Sequence, residues 1–127
     1  MIVRQLQDLL GTDREVDGGN WVSRRLLLAT DAMGFSLHDT LIRAGTETHI
    51  WYKHHLEAVY CIEGEGELER CDTGEVIPIS PGVMYALSGH EEHLLRARTQ
   101  LRMVCVFQPA ITGREVHGPD GAYPPSS

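Results

Sequence analysis

The side chains best equipped for chemistry crowd into one stretch. Between Gly45 and Gly64 the chain carries His49, His54 and His55, with Tyr52, Tyr60 and Glu57 among them, and Tyr85 and His93 follow further on. Imidazole, phenol and carboxylate are groups that move protons and bind divalent metals. A glutamate, a tyrosine and a histidine turned toward one interior would supply two anionic oxygens and one imidazole nitrogen. That mixture suits Fe(II), Mn(II) or Zn(II) and leaves coordination positions open for water and substrate. Taken singly, each residue has an ordinary use. A strand glutamate usually faces water, a tyrosine is usually half-buried packing with its hydroxyl at a rim, and His93, close after Glu91 and Glu92, fits a surface position equally well. Spacing has to decide.

The elements that would position these residues read as β-structure. Residues 1–3 are β-like, and 5–10 suits one or two helical turns ending at Gly11. A polar connection with glycines leads to a strand over 21–29. In 34–45, alternation puts Phe35, Leu37 and Leu41 on one face and His38, Thr40 and Ile42 on the other. So polar a face suits the wall of a barrel that holds a polar ligand. Residues 64–76 form a hairpin, and 76–87 a short strand interrupted by prolines, as at a barrel rim. A loop and strand over 89–99 precede a strongly β-prone run, 101–109. There Val104 and Val106 share one face, and Met103, Cys105 and Phe107 the other. Roughly eight short strands, with turn signals every ~8–12 residues and almost no helix, indicate an antiparallel sandwich or barrel.

At 127 residues the chain suits one domain with a real core. Its net charge of -7, from 18 acids against 11 Lys and Arg, argues against a nucleic-acid partner. No apolar run approaches the ~18 residues of a membrane helix, and the first ten residues do not resemble a signal peptide. Cys61, Cys71 and Cys105 form no CxxC pair, which points to a reducing cytoplasm rather than a disulfide framework.

The spacing then becomes specific. Gly45, Trp51, Lys53, Glu57 and Gly64 fall on the five places of the first cupin-barrel motif, G-x5-H-x-H-x3-E-x6-G. The glycines and the glutamate match, while both histidine places are replaced. Gly74, Ser80, Gly82, Tyr85 and Gly89 occupy the places of the second motif, G-x5-P-x-G-x2-H-x3-N, with tyrosine at the histidine place. A barrel of this kind either lacks a metal or has rebuilt its site from Glu57, Tyr85 and His93. The expected fold is therefore all-β, a single-domain cupin (a double-stranded antiparallel β-barrel or jelly roll) with minor short helices. The barrel would span 1–117. Residues 118–127 would form a flexible tail able to contribute to a lid.

The runs GNW (19–21), AGTETHIWYKHHLEAVYCIEGEGE (44–67), PGVMYAL (81–87), HEEH (90–93), CVFQP (105–109) and TGREVHGPDGAYP (112–124) resemble the ectoine synthase family over essentially the whole chain. The resemblance implies a carbon–oxygen lyase of compatible-solute biosynthesis under osmotic stress. In that reaction N-γ-acetyl-L-2,4-diaminobutyrate closes to L-ectoine with loss of water. It implies Glu57, Tyr85 and His93 as metal ligands, with Fe(II) expected and Zn(II) or Mn(II) as substitutes. It places the substrate among Trp21, Arg25, Thr40, Tyr52, Cys105, Phe107, Glu115 and His117. Tyr52 and His55 are the candidates for proton transfer. A head-to-tail homodimer is also implied, with residues 1–4 as a strand to exchange. The alternatives are a different metal-dependent cupin enzyme and a non-catalytic cupin that binds a small molecule.

Overall fold

A computed structural model describes residues 1–113 of the chain. Glu115, His117 and the tail over 118–127 lie outside the described residues. Ten strands follow one another: β1 (Glu15–Asp17), β2 (Trp21–Leu27), β3 (Ser36–Ile42), β4 (Glu47–Ile50), β5 (Leu56–Glu63), β6 (Gly66–Arg70), β7 (Val76–Ile79), β8 (Met84–Ala86), β9 (His93–Ala97) and β10 (Leu101–Gln108). They pair as a six-stranded sheet, β1-β2-β3-β10-β5-β8, and a four-stranded sheet, β4-β9-β6-β7. Every pairing is antiparallel. The only helices among the described residues are two short 3-10 turns, Leu6–Leu9 and Ala29–Asp31.

Period-two alternation decides what faces inward. Along β10 the buried row is Leu101, Met103, Cys105 and Phe107, and along β5 it is Glu57, Val59 and Cys61. The four-stranded sheet contributes Ile50, Leu68, Ile79, Leu95 and Ala97 to the same core. Burial of these side chains, worth roughly 1.5–3 kcal/mol for each large one, holds the two sheets face to face. Register carries the alternation across the sheet. Cys105 stands opposite His38 on one side and Val59 on the other, and Phe107 opposite Ser36 and Glu57.

Three expectations need adjusting. Residues 1–3 are not a strand; Arg4 instead reaches Leu26 O and Asp31 Oδ1, both at 2.8 Å, and anchors the N-terminus to its own chain. The strand from residue 21 stops at Leu27, because Asp31 turns back to accept from Leu28 N–H at 2.8 Å and closes a 3-10 turn. Among the described residues there are ten strands rather than about eight, since β1 and β8, three residues each, are too short to show a period.

The motif glycines act in turns. Gly64 has φ of 92°, and a Cβ there would lie 2.1 Å from Gln100 O. Both facts demand glycine where β5 turns past the start of β10. Gly82, at φ 97°, turns the chain into β8, and its N–H donates to Cys61 O at 2.9 Å.

Candidate active site

The inner faces of β2, β3, β5, β8 and β10 surround a cavity with an empty volume of about 450 Å³, its mouth included. Trp21 and Ser23 reach it from β2, His38, Thr40 and Ile42 from β3, and Met103, Cys105 and Phe107 from β10. Glu57 comes from β5, Tyr85 from β8 and Leu95 from β9, while Ile50 and Tyr52 close the side at the end of β4. Seven residues expected at the site (Trp21, Thr40, Tyr52, Glu57, Tyr85, Cys105 and Phe107) therefore share one cavity. Arg25, His55 and His93 do not line it, although all three are buried.

Glu57 and Tyr85 come together because β8 pairs with β5: Tyr85 faces Val59 in register, and Leu87 N–H donates to Glu57 O at 2.8 Å. Burial pushes the Glu57 carboxyl up to about 8, against a hydrogen bond with Cys105 that lowers it. Burial, and then the Glu57 charge, push the Tyr85 phenol well above its ordinary value. No cation among the described residues offsets either shift. Two groups whose anions are disfavoured side by side are suited to a bound dication, whose charge reverses that balance.

His93 opens β9, and its ring meets that of Tyr85 edge-on, with centroids 6.2 Å apart. Its Nδ1 is 3.0 Å from Glu91 O. A carbonyl can only accept, so the proton sits on Nδ1 and Nε2 carries a lone pair. That Nε2 is buried and has no hydrogen-bond partner among the described residues. An imidazole fixed through one nitrogen to a backbone carbonyl, with the other bare and buried, has the form of a metal ligand. Among the described residues no three His, Cys, Asp or Glu side chains gather as a metal site. If Glu57 and His93 were to share an ion, the phenol of Tyr85 would be the third donor at hand.

The remaining wall is mostly apolar, with a few polar groups set into it. Burial, and then the nearby Glu57 charge, push the Cys105 thiol well above the ordinary range, with the Thr40 hydroxyl working against them. Cys105 lines the cavity with its thiol held toward the neutral form. Tyr52 and His55 stand edge-on to the Phe107 ring, at 5.0 and 6.1 Å between centroids. Arg25, with no exposed surface, donates from Nε to Ser23 Oγ at 3.2 Å.

Sequence reasoning did not assign Ser23 and His38 to the site. His38 Nδ1 lies 3.0 Å from Ser23 Oγ and Nε2 lies 2.9 Å from Ser36 Oγ, so the imidazole bridges β2 and β3 from inside. The signal was available in part. His38 lies on the polar face with Thr40, and Ser23 falls between Trp21 and Arg25 at a spacing of two.

A family profile described as ectoine synthase matches residues 1–127. An L-ectoine synthase from Desulfatibacillum aliphaticivorans is 68% identical over 126 residues, covering 98% of this chain and 97% of that protein. The crystal structure of ectoine synthase from P. lautus superposes with a TM-score of 0.90 at 64% identity, covering 95% of this chain and 87% of that one. A Cupin_2 domain of a transcriptional regulator from Enterobacter cloacae is similar in fold, with a TM-score of 0.59 at 17% identity over 70% of this chain and 96% of that one.

Proposed function

The chain belongs to the ectoine synthase family and has the cupin fold, and from that premise we propose how its cavity performs the cyclisation. The protein is a lyase. Its proposed substrate is N-γ-acetyl-L-2,4-diaminobutyrate and its product the compatible solute L-ectoine, made in the cytoplasm under osmotic stress. In this reaction the α-nitrogen bonds to the acetamide carbon and the carbon–oxygen bond breaks. Two protons leave the nitrogen and depart with the oxygen as water. Glu57, Tyr85 and His93 would hold Fe(II), for which Zn(II) or Mn(II) could substitute, and the ion would supply Lewis acidity toward the acetamide oxygen. The observation that carries this reading is the buried, unpartnered Nε2 of His93 beside Tyr85.

The chain's own residues would do the rest. Trp21 and Phe107 wall the aliphatic part of the substrate, and Thr40 and Cys105 present a short polar edge to it. Arg25 is assigned to the substrate carboxylate although it lies outside the cavity lining, and Glu115 and His117 are assigned to substrate binding. Folding the substrate against these walls brings the amine within reach of a carbonyl it would rarely attack in water. Tyr52 and His55 are assigned to taking protons from the nitrogen and returning them to the departing oxygen.

A homodimer, head to tail, is part of the proposal. Leu56, Tyr60 and Met84 are 40%, 48% and 60% exposed on the outer side of β5 and β8, which favours a covering partner. A monomer mass by sedimentation would refute it. For the metal site, the test is the iron content of the purified protein and of His93→Ala. The wild type should carry one iron per chain and the variant less than about a tenth of that, because an orphaned ligand set binds weakly. Equal iron in both would exclude His93 as a ligand.

A further inference from the structure

Among the described residues two that are not glycine have positive φ: Ala32, at 59°, and His90, at 56°. Ala32 is the C-cap of a 3-10 turn. His90 ends no helix. A left-handed backbone costs a residue with a Cβ about 1 kcal/mol or more, and it persists where the surroundings fix it. What fixes His90 is its side chain. Nδ1 donates to the backbone carbonyl of Tyr52 at 2.9 Å, across 38 residues of sequence.

The two ends of this contact belong to different parts of the site. Tyr52 lines the cavity from the connection between β4 and β5, outside any strand, so no ladder holds its backbone. His90 sits in the loop that leads into His93. In that loop Gly89 N–H donates to the Glu91 carboxylate, and Glu91 O accepts from His93 Nδ1.

We propose that His90 is a positioning residue: its bond to Tyr52 O ties the connection carrying Tyr52 to the loop presenting His93, so that the two hold one register. The inference rests on the reading of Tyr52 as a proton-transfer group. It assigns His90 no contact with substrate or metal.

The test uses the full chain with His90 replaced by Gly, Ala or Asn. Glycine removes the donor and relieves the backbone. Asparagine tolerates the left-handed region, and its Nδ2 occupies the place of the imidazole Nδ1. Two readouts are compared with turnover: iron per chain, and hydrogen–deuterium exchange of the peptide spanning 51–56. His90→Gly should be at least as thermally stable as His90→Ala and bind iron like the wild type. It should exchange faster over 51–56 and lose roughly 10–100-fold in kcat with KM little changed, as for loss of a supporting hydrogen bond. His90→Asn should recover most of that loss. Wild-type kcat and exchange in His90→Gly would overturn the proposal. So would loss of iron, which would place His90 in support of the metal alone. A wild type that binds iron but forms no ectoine would defeat the functional reading instead, while exchange over 51–56 would still judge the contact.

Discussion

A bare imidazole nitrogen buried in protein is costly, about 1–3 kcal/mol when nothing takes its lone pair. Among the described residues His93 Nε2 has no hydrogen-bond partner, and its ring stands edge-on to Tyr85, whose phenol, like the Glu57 carboxyl, is held toward its neutral form. One cation would relieve all three. Proton transfer is proposed for other residues, and Tyr52 separates the two roles. Tyr52→Phe keeps the ring 5.0 Å from Phe107 and deletes only the hydroxyl. It should lower kcat by roughly 10²–10³-fold while iron content and melting temperature stay close to wild type. Unchanged turnover in a folded, iron-loaded variant would remove Tyr52 from the chemistry. Glu57 and Tyr85 were legible because both keep motif register although the motif histidines are gone. Ser23 and His38 were legible only as members of inward rows. Alternation names a face, and it does not say which groups on that face will bond to one another.

The strands hold the site through their outer side as well. Arg24 on β2, Asp39 on β3 and Arg102 on β10 form one cluster across three strands, with Arg24 and Arg102 nitrogens 2.5 and 2.8 Å from the Asp39 carboxylate. Burial alone would raise the Asp39 carboxyl, but hydrogen bonds from Arg102 and Arg24, aided by their charges, outweigh it and hold the group below its ordinary value. A carboxyl more acidic in the folded chain than the unfolded one adds stability above its unfolded value, ~3.9. That contribution is lost as pH falls through the folded value. Asp39→Asn should cost roughly 3 kcal/mol at neutral pH, the low end for breaking a buried pair because Arg102 reaches solvent. It should also flatten the loss of stability below about pH 4. Urea unfolding at several pH values measures both, and a variant as stable as wild type at pH 7 would refute the role. The strands themselves were legible from period-two alternation along 34–45 and 101–109. The end of β2 was not, because it is set by the Asp31 side chain returning to Leu28 N–H, a contact that no local pattern announces.

For the whole molecule, a short acidic chain with almost no helix left few architectures open, and the motif glycines narrowed them to one. Gly64 shows why the glycine spacing holds in a chain without the motif histidines. The barrel needs the turn whatever metal site it carries, and a Cβ there would run into Gln100 O. Ligands can be rebuilt from a tyrosine and a later histidine, but a close backbone approach cannot be rebuilt by another side chain. Oligomeric state was not legible, since the proposed contact uses exposed residues of β5 and β8 that pattern alone reads as ordinary surface. The central proposal is that the intact chain closes its substrate only with a divalent metal held by Glu57, Tyr85 and His93. The most direct test is chromatographic detection of ectoine from N-γ-acetyl-L-2,4-diaminobutyrate with the purified protein, after chelation, and after Fe(II) is restored. Ectoine should form, disappear with the chelator and return with iron. Undiminished product from the fully chelated protein would contradict the account.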